Sequence, residues 1–465
     1  MNGNLYALLR SRFPIDRTRP AMTLADGSVI TYAELEDGAG RLATLLADRG
    51  VEPGDRVAVQ TAKSPEAVML YLATLQAGAV FLPLNTAYTA AEIDYFVGDA
   101  EPTLVVTDAV ALAREAAALT PRAHVEEASP DDLAAIVYTS GTTGRSKGAM
   151  LSHAALAANG QALTDAWGFN ENDVLLHALP IYHVHGLFVA LHCVFLAGAS
   201  MRWLAKFDED QVLAALPHAT TMMGVPTFYT RLLADPRFTR EAARHMRLFV
   251  CGSAPLLEST FHDFEQRTGQ RILERYGMSE AAIITSNPLV GERLAGSVGY
   301  PLPGVELRTG AEGIVEIRGP SVTSGYWRNP AKTAEAFTED GYFITGDVGR
   351  QDPDGRLWLS GRVSDLIISG GLNVYPKEIE LVIDELAGVT ESAVIGCPHP
   401  DFGEAVVAVI AGAGDEAEII AATRERLAAF KIPKRVLFVD DLPRNTMGKV
   451  EKKTLRARYE KIFGG

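Results

Sequence analysis

This chain of 465 residues has only three cysteines, no long apolar run and no pattern typical of an amino-terminal signal peptide. The three cysteines, Cys193, Cys251 and Cys397, lie far apart, so they match neither a zinc-ligand spacing nor a disulfide framework. The most apolar stretch, 186–201, is shorter than the ~20 residues of a membrane-spanning helix, and we interpret it as a buried helix. Arginines interrupt each apolar run near the amino terminus, which argues against a signal peptide. We therefore expect a cytoplasmic protein that does not enter a membrane.

Positive charge is also in short supply. The chain has 58 acidic and 43 basic residues, and its net charge is −15. This balance argues against general nucleic-acid binding, which depends on basic surfaces. Hydrophobic residues make up 47% of the chain, as in other globular proteins. The length is sufficient for more than one domain.

The predicted elements of the first 290 residues alternate between strands and helices. Thr31 and Glu34 form a capping box at the start of one helix, and Ser64-Pro65 starts another between two apolar strands. This repeated pattern predicts an α/β fold with parallel-type sheets.

The composition changes in two places after that region. From about 296 to 361, glycine, proline and short β-branched runs predict a β-rich subdomain. Beyond residue 361, helices and strands alternate in a compact α+β pattern. We therefore divide the chain into a large amino-terminal domain, 1–361, and a small carboxy-terminal domain, 362–465.

Residues 138–148 concentrate hydroxyls, glycines and two cations in one short stretch. An apolar run, 133–137, precedes the stretch and predicts a strand, and Ser152-His153 opens a segment typical of a helix. A strand, a glycine-rich loop and a helix can present backbone N–H groups and hydroxyls to phosphate. The spacing departs from the Walker pattern, because Gly148 follows Lys147 where that pattern has serine or threonine. We interpret the stretch as a phosphate-binding loop.

Other short motifs are individually weak. Tyr276-Gly-Met-Ser-Glu280 combines a hydroxyl with a carboxylate, which suits a magnesium–phosphate site. Asp347 follows a strand, and a carboxylate can hold a ribose diol. Ser369-Gly370-Gly371 is a second glycine-rich loop. Lys449 would, on its own, be a surface lysine.

Taken together and in order, these motifs resemble the acyl-adenylate-forming superfamily, which includes acyl-CoA synthetases and the adenylation domains of peptide synthetases. The resemblance covers nearly the whole chain. It rests on Thr-Ser-Gly-Thr-Thr-Gly-x-x-Lys-Gly, Tyr-Gly-x-Ser-Glu, Thr-Gly-Asp, Gly-Arg-x-x-Asp, Ser-Gly-Gly and Pro-Arg-x-x-x-Gly-Lys. One departure is Ser279, where threonine is commoner, and another is Ser364 at the hinge position.

The resemblance implies a two-step reaction with ATP, Mg²⁺ and coenzyme A. A carboxylate attacks the α-phosphate of ATP and releases pyrophosphate, and a thiol then attacks the acyl-AMP. It also implies roles for individual residues. The phosphates would be held by Thr139, Ser140, Gly141, Thr142, Thr143 and Lys147. The metal would be held by Glu280. The rest of the nucleotide would be held by Ser253, Ala254, Tyr276, Gly277, Ser279, Asp347 and Arg362.

The resemblance further implies that the small domain rotates between the two steps, about a hinge near Ser364. Lys449 would act in the first step, bridging the attacking carboxylate and the α-phosphate. Ser369, Gly370 and Gly371 would line the coenzyme A path in the second step. The Pro443–Lys449 segment also resembles sites at which a lysine acetyltransferase silences related synthetases.

Two further stretches bear on the acid. His183 lies where the superfamily has a residue beside the acyl carbon, with Ser253 and Met278 expected nearby. Arg293 follows the Tyr-Gly-x-Ser-Glu stretch, and a dicarboxylate requires such a cation for its unreacted carboxylate. The combination of Glu-Arg-Tyr-Gly-Met-Ser-Glu, residues 274–280, with the stretch around Arg293 resembles malonyl-CoA synthetases. We therefore expect a malonate–CoA ligase that can also accept methylmalonate.

Three alternatives remain at the sequence level. The chain could be a short-chain or aromatic acyl-CoA ligase, with Arg293 on the surface. It could be an adenylation module that loads a carrier protein. It could also be a nucleotide-binding protein without activity, although the full set of expected catalytic residues argues against this.

Overall fold

The structure is a computed structural model, and it describes residues 2–139, 146–370, 372–445 and 448–464. The strands are β1 Pro20–Leu24, β2 Val29–Thr31, β3 Arg56–Val59, β4 Val80–Pro83, β5 Leu104–Val106, β6 Leu133–Thr139, β7 Lys147–Ser152, β8 Val174–His177, β9 Ser200–Trp203, β10 Thr221–Gly224, β11 Leu248–Cys251, β12 Leu273–Met278, β13 Ala282–Ser286, β14 Ser297–Pro301, β15 Glu306–Thr309, β16 Ile314–Arg318, β17 Phe343–Gln351, β18 Leu357–Arg362, β19 Ile367–Ser369, β20 Leu372–Val374, β21 Val389–His399, β22 Gly403–Gly412 and β23 Arg435–Val439.

The α-helices are α1 Leu5–Arg12, α2 Tyr32–Asp48, α3 Pro65–Gln76, α4 Ala90–Ala100, α5 Ala109–Ala116, α6 His153–Ala166, α7 Leu191–Ala197, α8 Glu209–Ala215, α9 Pro226–Ala234, α10 Glu258–Thr268, α11 Pro330–Glu335, α12 Pro376–Asp384, α13 Glu416–Arg426 and α14 Lys452–Tyr459. A π-helical turn, His185–Ala190, leads directly into α7.

The described strands form three sheets. The first has five strands in the order β5-β3-β4-β6-β7, and the second has 13 strands in the order β15-β16-β17-β18-β14-β13-β12-β11-β10-β8-β9-β1-β2. The third contains only strands that follow residue 366, in the order β20-β19-β22-β21, with β23 paired to β22. The predicted α/β fold with a small second domain is confirmed.

Local sequence signals account for many helix starts. The Thr31 side chain accepts from the backbone N–H of Glu34, and the Glu34 side chain accepts from the backbone N–H of Thr31. The predicted capping box of α2 is therefore present. Ser64 caps α3, with Pro65 in the first turn where its missing N–H costs nothing. Strands β3, β4, β5 and β6 pair in parallel, as the strand–helix–strand pattern predicted.

The segment that follows the predicted phosphate-binding loop differs from the prediction. The loop is followed by a strand, β7, which pairs antiparallel with β6, and Thr139 lies opposite Lys147. Strands β6 and β7 therefore form a β-hairpin that the sequence analysis did not predict, whereas α6 begins at His153 with Ser152 as its N-cap, as predicted. Residues 140–145 lie outside the described part of the chain.

The strands between 297 and 362 do not form a sheet of their own. They continue the 13-strand sheet through β14, which pairs with both β13 and β18. The strands β15 to β18 pack over a separate hydrophobic cluster around Phe343. Among the described helices, none has the length and apolarity needed to cross a membrane.

Candidate active site

A cavity of about 780 Å³ lies where the first two sheets, the β14–β18 region and the small domain meet. Residues from widely separated parts of the chain line it. The predicted site residues that line it are Thr139, Lys147, His183, Ser253, Gly277, Met278, Ser279, Glu280, Arg362 and Lys449. The structure therefore brings most of the described candidates into one space.

Glu280 lies on the wall beside the β6–β7 hairpin. Its Oε1 accepts from Thr139 Oγ1 at 3.4 Å and from the Tyr326 hydroxyl at 3.2 Å. Burial raises the pKa of this carboxyl above its usual range. Lys147 Nζ lies 4.8 Å from the centre of the Tyr326 ring. A carboxylate flanked by hydroxyls next to a glycine-rich loop suits a hard cation bound together with phosphate oxygens.

Asp347 lies behind the adjoining wall, in strand β17. Its carboxylate accepts from the Tyr276 hydroxyl at 2.5 Å and from Arg362 Nε at 2.7 Å. The negative charge of Asp347 raises the pKa of the Arg362 guanidinium above its usual value, so the guanidinium stays charged. The two β-strands that carry Asp347 and Arg362 pair at these residues. This cluster offers fixed polar atoms at the edge of the cavity.

Lys449 enters the cavity from the small domain. Its backbone N–H donates to Asn445 Oδ1 at 3.0 Å, and Arg444 donates to the carbonyl of Gly448 at 2.9 Å. Arg444 also pairs with Glu391 of β21. Burial, with the neighbouring Arg362 charge, lowers the pKa of the Lys449 ammonium to about 8. A cation from one domain thus faces a preformed wall of the other.

A second polar group lies deeper, around Ser253. Its Oγ is 3.2 Å from His185 Nδ1 and accepts from Arg275 Nη2 at 3.4 Å. Ser253 has a φ of +72°, a backbone conformation that costs a non-glycine residue roughly 1–3 kcal/mol. Gly252 is required beside it, because a Cβ there would lie 2.5 Å from Arg275 Cζ.

Arg275 is the most unusual residue of this group. It is 4% exposed, lines the cavity, and its Nε has no hydrogen-bond partner among the described residues. No carboxylate of the described chain lies within salt-bridge distance of its guanidinium. Burial lowers its pKa to about 10, so the group remains charged at neutral pH. Buried cations without a counterion are costly, so this position favours an anionic ligand.

The histidines of the same wall are neutral. Burial lowers the pKa of His183 to about 4 and that of His185 well below the usual range. Nε2 of each ring is buried without a hydrogen-bond partner in the described structure. These side chains can therefore contact an uncharged part of a ligand without adding a proton to it.

Arg293 requires a correction, because the structure does not bring it to the cavity. Its guanidinium donates to the backbone carbonyls of Pro288 at 3.0 Å, Leu289 at 2.8 Å and Arg271 at 2.6 Å. These bonds tie the 288–293 loop to the end of β12. Each of the three guanidinium nitrogens donates to a backbone carbonyl, and Arg293 does not line the cavity, so it is not placed to bind a ligand carboxylate there.

The remaining predicted residues lie away from the cavity or outside the described chain. Ala254, Tyr276 and Asp347 do not line the cavity, although Asp347 accepts from Tyr276 and from Arg362, which does line it. Ser369 is buried in β19, and the Gly370 N–H donates to the carbonyl of Phe402, so neither faces this space. Ser140, Gly141, Thr142, Thr143 and Gly371 lie outside the described residues.

Comparison with known proteins agrees with this geometry. The model of the AMP-binding enzyme family matches residues 12–327, and the model of the AMP-binding enzyme C-terminal domain matches residues 378–449. The chain belongs to the AMP-binding enzyme family. The predicted superfamily is thereby confirmed.

Individual relatives of this AMP-binding enzyme cover most of its length. A malonate–CoA ligase of Arabidopsis thaliana is 35% identical over 94% of this chain and 86% of its own. A feruloyl-CoA synthase of Amycolatopsis sp. is 35% identical over 93% of this chain and 94% of its own. The crystal structure of ATP-bound MatB from Rhodopseudomonas palustris superposes with a TM-score of 0.96 at 50% identity, and the match covers 100% of both chains.

Sequence reasoning missed Arg275, His185, Tyr326 and Arg444 as cavity residues. Arg275 lies inside the Glu-Arg-Tyr-Gly-Met-Ser-Glu stretch that carried the resemblance to malonyl-CoA synthetases, but the sequence analysis gave it no role of its own. A weak signal was present, because Glu274 and Arg275 are adjacent charged residues in a strand that pairs on both sides, and buried charges require compensating groups. Tyr326 had no such signal, since only the packing of β7 against the 323–327 segment brings it to Glu280.

Proposed function

We propose that this AMP-binding enzyme is an ATP-dependent malonate–CoA ligase. It forms malonyl-AMP with release of pyrophosphate, and then malonyl-CoA with release of AMP. The observation that carries the proposal is Arg275, a buried cation that lines the cavity, with no carboxylate within salt-bridge distance and with Nε lacking a hydrogen-bond partner among the described residues. Malonate has a second carboxylate that does not react, and that group can pair with the guanidinium.

The surroundings of Arg275 support a small acid. Ser253 Oγ lies within reach of both Arg275 and His185, and so offers a further polar contact to the distal carboxylate. His183 and Met278 line the same cavity and would flank the methylene group. A long fatty acid would place an apolar chain against a charged group, at a cost that only a paired anion avoids. Methylmalonate adds one methyl, and such additions are discriminated only ~10–200-fold by an apolar surface.

Residues in and behind the wall of the same cavity would bind the nucleotide. Asp347, held by Tyr276 and Arg362, would accept from the ribose hydroxyls. Thr139 and Lys147 flank the loop that would hold the β- and γ-phosphates, together with Ser140 to Thr143. Ser253, Tyr276, Gly277 and Ser279 would border the adenine and ribose. Ala254, Tyr276 and Asp347 stand just behind the lining residues, and Ala254 stays in the proposed adenine wall beside Ser253.

Magnesium fits the residues around Glu280. A desolvated carboxylate beside two hydroxyls is a donor set that Mg²⁺ uses with phosphate oxygens. Glu280 and Thr139 would hold the ion. When bound, the metal neutralises phosphate charge. The remaining contributions come from the protein side chains described above.

Lys449 supplies the moving half of the site. An oxygen of malonate attacks the α-phosphorus, and the bond to the bridging oxygen of pyrophosphate breaks. Negative charge accumulates between the two reacting groups, and the Lys449 ammonium would stabilise it there. Lys449 lines the cavity whereas Ser369 and Gly370 do not, so we infer an orientation suited to the first step. The second step would require rotation that brings Ser369, Gly370 and Gly371 to the coenzyme A path.

Acetylation of Lys449 by a lysine acetyltransferase would remove this charge, and it remains part of the proposal. Incubation with an acetyltransferase and acetyl-CoA should lower adenylation activity in proportion to the modification measured at Lys449.

One assay tests the proposed function. The protein is incubated with ATP, Mg²⁺ and malonate, methylmalonate, propionate or ferulate, and pyrophosphate is measured with and without coenzyme A. We expect malonate to give the highest kcat/KM, with thioester formed only when coenzyme A is present. A preference for ferulate or propionate would contradict the malonate assignment, and transfer to a carrier protein instead of coenzyme A would favour the adenylation-module alternative.

A further inference from the structure

Lys63 is a desolvated lysine that the mechanism above does not use. It lies between β3 and α3 and reaches the carboxyl ends of β8 and β9 in the neighbouring sheet. Its Nζ donates to His177 Nδ1 at 2.9 Å, to the His177 carbonyl at 2.9 Å and to the Leu204 carbonyl at 2.6 Å. It also lies 4.2 Å from the centre of the Trp203 ring. Lys63 therefore joins two sheets through one charged group.

The partners of Lys63 are all acceptors. Three acceptors match the three hydrogens of an ammonium group, whereas a neutral amine would leave one of them without a donor. Trp203 adds the face of an aromatic ring, which attracts a cation. Burial lowers the pKa of Lys63, yet this geometry is built for the charged form. No carboxylate of the described residues lies within salt-bridge distance of the ammonium.

The contact fixes the tautomer of His177. Nδ1 accepts from Lys63, so the ring hydrogen is on Nε2, which donates to the carbonyl of Gly186 at 2.9 Å. Gly186 is packed tightly, since a Cβ there would lie 2.0 Å from the Pro180 carbonyl oxygen. Lys63 and His177 thus anchor the turn that carries His183 and His185, the two histidines of the cavity wall.

Neither Lys63 nor Arg275 has a carboxylate within salt-bridge distance among the described residues, although the buried Glu274 beside Arg275 acts against burial and raises the pKa of that guanidinium. Lys63 and Arg275 are both desolvated cations. Lys63 contacts His177, and Arg275 contacts Ser253, which in turn contacts His185. A buried cation without a counterion destabilises the free protein. An anion that enters the cavity would relieve part of that cost, and a neutral ligand of the same shape would not.

We propose that Lys63, acting through His177 and the 183–186 turn, is a positioning residue that makes the cavity selective for acids with a second negative charge. This inference rests on the proposed function. Arg275 contacts the distal carboxylate, and Lys63 supplies a second positive charge behind the wall that holds His185 and Ser253. Its effect is on the discrimination between a charged and an uncharged distal group, and not on the chemistry at the α-phosphate.

The test compares malonate with its monoamide, malonamate, which has the same shape and a neutral distal group. The variants are Lys63→Gln, which keeps donors but loses the charge, and Lys63→Met, which loses both. The exposed Lys206→Gln is the matched control. We expect the ratio of kcat/KM for malonate to that for malonamate to fall about 10-fold in both Lys63 variants, the scale of one charge acting through a partly screened interior.

The expected result includes an unchanged ratio in Lys206→Gln and an unchanged KM for ATP in all three variants. Circular dichroism checks folding, and if only one Lys63 variant folds, its ratio decides. A ratio that stays at the wild-type value in Lys63→Gln would overturn the role of the charge. Wild-type protein without malonate activity would overturn the proposed function and this inference together, whereas malonate activity with an unchanged ratio overturns only the inference.

Discussion

At the scale of single residues, the cavity brings together three cations that differ in their hydrogen-bond and charge partners. Arg275 lacks a carboxylate partner among the described residues, Arg362 is paired with Asp347, and Lys449 enters from the other domain. Pairing decides what each can do. A paired guanidinium holds its neighbour in place, whereas a buried unpaired one attracts an anion.

Replacement of Arg275 by methionine should lower kcat/KM for malonate at least ~100-fold, because breaking a desolvated charge pair costs ~3–5 kcal/mol. Activity with malonamate should fall much less. Arg293→Met is the matched comparison, since Arg293 bonds only to backbone carbonyls, and its ratio of malonate to malonamate activity should equal that of the wild type. A loss of malonate activity in Arg293→Met, with normal malonate activity in Arg275→Met, would instead assign the binding of the second carboxylate to Arg293.

Lys449→Ala should lower formation of acyl-AMP at least ~100-fold, the usual scale for one electrostatic group at developing charge. Thioester formation from supplied malonyl-AMP should persist, because the charge is needed only in the first step. Single-turnover assays of each half-reaction measure this, with the exposed Lys453→Ala as control. Equal losses in both half-reactions would refute the assignment.

The pKa of about 8 for Lys449 predicts a basic limb in the pH profile of adenylation. The protonated form is the active one, so kcat/KM should be constant below this pKa and should fall as the pH rises through it. The limb should move to higher pH in Lys449→Arg, since guanidinium stays protonated throughout the range. A basic limb at the same pH in that variant would assign the titration to another group.

At the scale of elements, two tight connections shape the site. The β6–β7 hairpin closes the phosphate loop between paired strands and aligns Thr139 opposite Lys147. The turn that precedes Lys449 is held by Arg444, which donates to Gly448 and pairs with Glu391 on β21. Rigid strands thus position side chains that are carried on short loops.

Arg444→Gln should weaken this turn and lower the adenylation rate about 10-fold, through poorer placement of Lys449. The loss should appear in kcat for the first half-reaction and should spare the second. The exposed Arg458→Gln serves as the control for removal of a basic residue from the same domain. If Arg444→Gln changes only thermal stability, the turn does not position the lysine.

At the scale of the whole molecule, one short connection joins the two domains. Strand β18 ends at Arg362 and β19 begins at Ile367, with a 3₁₀ turn, Val363–Asp365, between them. Arg456 of α14 holds this turn through Asp365 at 3.0 Å. A domain rotation must change backbone angles in these few residues.

Ser364→Pro should restrict that rotation, because proline fixes φ near −65°. We expect adenylation to stay within about 3-fold of the wild type and thioester formation to fall at least ~10-fold, as for other steps gated by domain motion. Ser364→Ala, which leaves φ free, is the control. Normal thioester formation in the proline variant would place the hinge elsewhere.

The sequence by itself determined the family, the α/β architecture and a part of the cavity wall that includes Glu280 and Lys449. Capping residues, strand periodicity and short motifs are local properties, so Thr31, Ser64, Glu280 and Lys449 could be identified without coordinates. The hairpin around the phosphate loop was missed, because whether Lys147 to Ser152 pairs as a strand depends on its neighbours in the sheet.

Only the tertiary structure decided which arginine faces the acid. Arg275 and Arg293 both lie near the same motif, and their residue type is identical. Arg275 lines the cavity, and its Nε has no hydrogen-bond partner among the described residues. Arg293 instead donates to the carbonyls of Pro288 and Leu289 in its own loop and to that of Arg271. The difference is a matter of which acceptors the folded chain places around each guanidinium, and no local pattern contains that information.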